Sequence, residues 1–229
     1  MIKLMPLLLM LAYGLVVYRF SVWRTQKALD ASSHELADPT LEPVLGRLAR
    51  ALDLPRVRVH LHEAEPVNGF AAPDGRIFLT RGFYRKFREG AVTAEELASV
   101  LAHELGHVAL GHSRRRMIDF SGQNAIRLAL GPMLNRLLPG LGLWLASSLA
   151  SLVAARLSRQ DEYEADGYAA ALLTKAGIGT GPQKSLFAKL ARLTGAGRAG
   201  PAWLMSHPAT ADRIRAIEAL EARWQVAPR

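Results

Sequence analysis

Thr93-Ala94-Glu95-Glu96-Leu97-Ala98-Ser99-Val100-Leu101-Ala102-His103-Glu104-Leu105-Gly106-His107-Val108 decides the fold class and the chemistry together. Thr93 followed three residues later by Glu96 is a capping box, which starts a helix by satisfying its first amide donors. Leu97, Val100, Leu101, Leu105 and Val108 then recur at helical spacing, so the helix has an apolar stripe to bury. Inside the stripe lies an H-E-x-x-H pattern. A spacing of four sets His103 and His107 one turn apart on one face, where both imidazoles reach a single zinc ion. Glu104 lies beside them, placed to address the water that such an ion activates.

A catalytic zinc needs a third protein ligand and an open fourth position. Leu157 to Ala176 predicts a second helix, stopped by Gly177, with the carboxylates Asp161, Glu162, Glu164 and Asp166 in its first half. Helical geometry separates them. Glu162 and Asp166 share a face with Ala165, Ala169 and Leu173, the face that packs inward. Glu162 is therefore assigned as the third metal ligand, and Asp166 as the carboxylate that accepts the other N–H of a ligand histidine. Asp161 and Glu164 are left to a solvated face.

Working outward, Arg56 to His62 alternates with period two: Val57, Val59 and Leu61 on one face, Arg58, His60 and His62 on the other. This predicts a half-buried strand whose histidines are simply exposed. Asn68-Gly69-Phe70-Ala71, a Pro73-Asp74-Gly75 turn and Arg76 to Thr80 predict a hairpin. The expected fold is α+β and mostly helical, with a small antiparallel sheet. Leu186, Leu190 and Leu193, then Ile214, Ile217 and Leu220, mark two further core helices.

The first residues and the middle of the chain point to a membrane. Leu4 to Tyr18 carries no charge, and Arg19, Arg24 and Lys27 follow it. Residues 1–28 are expected as an uncleaved transmembrane anchor, with a signal-like segment as the alternative, and 29–40 as a polar linker to a domain over 41–229. The basic flank mildly favours a cytoplasmic domain; a periplasmic one is the alternative. Leu137 to Ala155 is apolar enough to be taken for a span. A single crossing there would part His107 from Glu162 across the bilayer, and Asp119, Asn124 and Arg127 make a second crossing expensive. Leu137 to Ala155 is therefore expected not to span but to form a helical hairpin that dips into the membrane or roofs the site, within an apolar membrane-associated insertion at about 117–156.

The chain has no cysteine, which excludes a disulfide scaffold, a thiol nucleophile and thiolate-bound zinc. Its 29 Lys and Arg against 20 Asp and Glu give a net charge of +9. Arg114 to Arg116, Arg127, Arg136, Arg156 and Arg159 adjoin apolar segments, as for a surface resting on anionic lipid. No motif or aromatic interleaving supports nucleic-acid binding. His34 receives no role. His112 is expected beside the ligands or at the surface, and Arg213 as a partner for substrate or carboxylate or as a surface charge.

With Ser206-His207-Pro208 near the end, H-E-x-x-H and Glu162-Tyr163-Glu164-Ala165-Asp166 resemble the zinc endopeptidases typified by the CAAX prenyl protease and the heat-shock protease HtpX. The resemblance covers roughly Leu41 to Leu220. Gly69 departs from it, at a position where that family often has alanine. The resemblance implies a gluzincin fold whose edge strand holds an extended substrate. It also implies zinc on His103, His107 and Glu162, with Glu104 as general base. It sets His207 near the metal, as donor to the oxyanion or occupant of the open position; a capping or packing histidine is the alternative. The expectation is a membrane-associated zinc endopeptidase, at the bacterial inner membrane, acting on unfolded or membrane-associated proteins in quality control. The alternative is a metal-binding scaffold or chaperone without proteolysis.

Overall fold

A computed structural model of the chain describes residues 5–72, 74–112, 135–136, 141–193 and 211–226. Its elements are α1 (Met5–Ala31), β1 (Ser33–Glu35), α2 (Glu42–Ala51), β2 (Val59–His62), β3 (Gly69–Ala71), β4 (Ile77–Thr80), α3 (Arg81–Arg88), α4 (Ala94–Ala109), α5 (Gly142–Lys175), α6 (Gly181–Leu193) and α7 (Ala211–Val226). Mostly helical α+β architecture is what forms. Among the described residues no helix is long and apolar enough to cross a membrane.

The sheet is mixed, which corrects the antiparallel expectation. Its order is β1-β2-β4-β3, with β1 antiparallel to β2, β2 parallel to β4 and β3 antiparallel to β4. The hairpin closes as its turn residues require, pairing Gly69 with Leu79 and Ala71 with Ile77. It then folds back so that β4, not β3, lies beside β2. The edge strand β1 comes from the segment expected as a linker, pairing Ser33 with His62. Alternation sets Val59, Ile77 and Leu79 against the core, each at most 2% exposed. On the other face Phe70 stacks on Phe78 at 5.2 Å, and His60 and His62 lean on these rings rather than standing free in solvent. Leu29 of α1 is buried in that aromatic cluster.

Helix α4 is the centre of the molecule. Its capping box forms as expected: Glu96 donates its backbone N–H to Thr93 Oγ1 at 3.1 Å, and Thr93 donates its own to Glu96 Oε2 at 3.0 Å. Leu97, Ala98, Leu101 and Ala102 are shut from solvent against α2, α5 and α6. Each leucine buried in this way contributes about 1.5–3 kcal/mol.

Helix α5 runs unbroken for 34 residues. The backbone of 142–155 is thus one rod with the carboxylate-bearing turns, which corrects the helical hairpin expected over 137–155. The end of that rod is well defined. Gly177, at φ +68°, donates to Thr174 O at 3.0 Å and Ile178 to Leu173 O at 2.9 Å, a paired closure that needs the left-handed backbone glycine supplies. Arg47 Nε of α2 donates to Ala176 O at 3.1 Å, placing a cation on the negative end of the helix.

Contact between α4 and α5 depends on Gly106. A Cβ built there would lie 3.1 Å from Ala165 O and 3.2 Å from Ala165 Cα. Without a Cβ the two backbones come closer than most side chains would allow. Ala165, the facing residue on α5, is itself small and fully buried.

Candidate metal centre

One turn of α4 and one turn of α5 meet at this crossing. His103 Nε2 and His107 Nε2 are 3.1 Å apart, and Glu162 reaches both, at 3.4 Å from His103 Nε2 and 3.5 Å from His107 Nε2. All three residues are at most 4% exposed. Zinc bonds of about 2.0–2.1 Å in a tetrahedron imply ligand atoms about 3.3–3.4 Å apart. The three separations match the edges of such a polyhedron, and the donor set, two imidazole nitrogens and a carboxylate, is one that zinc takes. No cysteine competes. By size, charge and spacing the residues present fit a zinc ion.

Behind the histidine of the first turn stands a charged stack. His103 Nδ1 is 3.0 Å from Asp166 Oδ1, and Asp166 is gripped by Arg213 Nε and Nη2, each at 2.6 Å. Arg213 Nη1 is also 3.7 Å from Glu162 Oε2, and its guanidinium lies over the Phe187 ring at 4.4 Å. These groups are buried. Burial pulls the His103 imidazolium down, but hydrogen bonds to Asp166 and Glu162 outweigh it and raise its pKa to about 9. Burial also pushes Asp166 up; Arg213 and His103 outweigh that too, holding it below the usual carboxylate range. Of the two readings of Arg213, carboxylate partner and surface charge, the structure has the first.

Glu104 is buried on α4 between the two histidines, 2% exposed. Asp161 is not on a solvated face, as the sequence suggested, but 1% exposed. The reason is His112, fully buried just past α4, whose Nε2 lies 3.8 Å from Asp161 Oδ1 and 3.2 Å from Glu164 Oε2. Glu164 is only partly solvated, with its side chain 35% exposed. His112 Nδ1 in turn is 2.8 Å from His107 Nδ1. These acidic residues are the part of the site that sequence reasoning missed. The available signal was the i, i+3 spacing of Asp161 and Glu164, which puts both on one side of α5.

His207, Arg114 to Arg116 and Arg127 lie outside the described residues. His34 is exposed on β1 and faces Glu63 at 3.7 Å.

Residues 35–221 match the family model described as Peptidase family M48. Metalloprotease LoiP of Escherichia coli (strain K12) is 31% identical over 198 residues, covering 83% of this chain and 73% of that protein. Metalloprotease YcaL of the same organism is 32% identical over 166 residues, 70% of this chain and 61% of YcaL. A Protease HtpX homolog of Acidiphilium cryptum (strain JF-5) is 31% identical over 160 residues, 61% of this chain and 53% of its own length. The chain thus spans less than two thirds of YcaL and of the HtpX homolog.

Proposed function

The chain belongs to peptidase family M48 and is a metalloendopeptidase, and from that footing we propose that it is a membrane-associated zinc enzyme that cleaves unfolded or membrane-associated proteins. His103, His107 and Glu162 would hold the zinc. The observation that carries this is the trio of separations between their donor atoms, 3.1, 3.4 and 3.5 Å, in a buried pocket. When bound, zinc supplies a Lewis acid and brings the pKa of a water to about 7.

The protein's own groups do the rest. Glu104, as general base, takes a proton from the attacking water and returns it to the nitrogen of the departing peptide. Asp166 accepts from His103 Nδ1–H, which fixes the ring so that Nε2 presents its lone pair to the metal. Arg213 keeps Asp166 ionised. Strand β3, which among the described residues pairs with β4 alone, has an edge for an extended substrate to pair with. His207 would serve the oxyanion or the open metal position.

Membrane association rests on the uncharged first half of α1 and on Arg19, Arg24 and Lys27 in its second half, which suit an anionic lipid surface. Residues 1–28 are the proposed anchor and 29–40 the connection to the catalytic domain of 41–229, with 117–156 as its membrane-associated insertion. The proposed site of action is the bacterial inner membrane, with the domain on the cytoplasmic side, where quality control of damaged protein would supply substrates.

Casein digestion by the purified full chain tests the reading, with zinc content measured in parallel. Glu104→Gln is expected to keep the metal and lose at least ~100-fold in kcat, and a chelator to abolish cleavage. Retained cleavage in that variant, or indifference to chelator, would sink the mechanism. Zinc binding without any cleavage by the unaltered chain would favour a metal-bearing scaffold.

A further inference from the structure

We infer that His112, with Asp161 and Glu164, is a positioning relay for the metal ligand His107 and not a second cation site. The inference rests on the zinc reading above and adds three residues to it. Its basis is an inventory of protons on the facing rings.

His107 presents Nε2 to the proposed ion, so its remaining proton sits on Nδ1. That N–H points at His112 Nδ1, 2.8 Å away. His112 Nδ1 must then be the bare acceptor, and the proton of His112 sits on Nε2. There it faces Glu164 Oε2 at 3.2 Å and Asp161 Oδ1 at 3.8 Å. Glu164 is held in turn by Gln160 Nε2 at 2.9 Å. Every ring nitrogen in the line is accounted for in one direction, from the metal face to the carboxylates of α5.

Taken alone, His112, Asp161 and Glu164 have the spacing of a metal site, their donor atoms all within 4.8 Å of one another. The same inventory argues against it. A cation on His112 Nε2 would drive the ring proton to Nδ1, directly opposite the N–H of His107. Two donors would then confront each other at 2.8 Å in a buried pocket, which is costly. The two clusters exclude one another, and the filled triad leaves the second as a hydrogen-bond chain. The ligands are thus supported unequally: His103 directly by a carboxylate locked to Arg213, His107 through an intervening imidazole that ends at the partly exposed Glu164.

Zinc affinity and ring tautomers of the full-length holoenzyme test this, with zinc as the probe in competition with a chelator. His112→Phe keeps the volume but cannot accept; its zinc Kd is expected to rise roughly 10–100-fold. His112→Gln, whose amide oxygen accepts and amide nitrogen donates, is expected to recover most of that loss. Long-range nitrogen-15 spectra of the unaltered zinc-loaded protein should show His107 protonated at Nδ1 and His112 at Nε2, and they decide the matter even if the Phe variant fails to fold. A proton on His112 Nδ1, a second zinc bound at His112, a Phe variant within roughly threefold of the parent, or a Gln variant no better than Phe would overturn the relay. Failure of the unaltered chain to take up zinc at His107 would instead overturn the metal reading beneath it.

Discussion

Arg213 grips Asp166 through two nitrogens at 2.6 Å, and with both side chains at most 3% exposed this pair ties α7 to the back of the proposed metal triad on α4 and α5. Removing the cation alone strands a buried carboxylate. Arg213→Met is expected to cost about 3–5 kcal/mol in urea unfolding and to weaken zinc binding. The double variant Arg213→Met with Asp166→Leu should regain much of the stability but not the affinity. Equal recovery of both would mean that Asp166 does nothing for His103. Arg213→Lys, which keeps the charge but not the fork, should fall between.

Gly106→Ala tests the helix crossing. The added methyl meets the backbone of Ala165 at 3.1–3.2 Å, and backbone cannot rotate away as a side chain can. The helices must part by a few tenths of an ångström, costing about 1–3 kcal/mol and opening the distances from Glu162 to both histidines. Thermal unfolding and zinc titration should therefore worsen together. A stable variant of normal zinc affinity would show that the crossing does not set the triad.

The pKa of His103, about 9 in the metal-free fold against 6.5 for the free side chain, predicts two opposite pH dependences. Metal needs the neutral ring, so zinc affinity should climb with pH until about 9, with a proton released on binding at neutral pH. Metal-free stability runs the other way. The contribution of His103 is fully present below pH 6.5 and is lost as pH rises through 9. Urea titrations of the chelated protein, alongside proton release in calorimetry, check both signs.

Asp38 ties together a second part of the domain. It accepts from Thr40 N at 2.8 Å, Thr40 Oγ1 at 2.5 Å, Tyr84 OH at 2.6 Å and Arg88 Nη1 at 3.2 Å, joining the start of α2 to α3. Burial raises its pKa, but Thr40, Tyr84 and Arg88 prevail and lower it to about 2. Its contribution is present above pH 3.8 and is lost as pH falls through 2. Asp38→Asn should destabilise by about 1–3 kcal/mol at pH 7, with the difference from the parent vanishing near pH 2.

What could be read from the residues divides along physical lines. The capping box of Thr93 and Glu96, the one-turn spacing of His103 and His107 and the inward face of Glu162, Ala165, Asp166, Ala169 and Leu173 are properties of a single helix. Period 3.6 makes them legible. Strand partners are not local: nothing between Val59 and Thr80 says that β4, rather than β3, lies against β2. Asp161 looked solvated because its burial depends on His112, supplied from the far end of α4. The break expected between the apolar and charged stretches of α5 reflects a change of side-chain character, which the backbone does not feel.

An unbroken α5 is both a ruler and a protractor. From Gly142 to Glu162 the rod measures about 30 Å, and each residue along it advances the heading by about 100°. Whatever the upstream half rests against therefore fixes the bearing from which Glu162 approaches the two imidazoles. A single residue inserted near Ser151 would swing one half against the other by more than a right angle. Four would nearly restore the heading and lengthen the rod by about 6 Å, so the chain should tolerate the larger insertion better than the smaller.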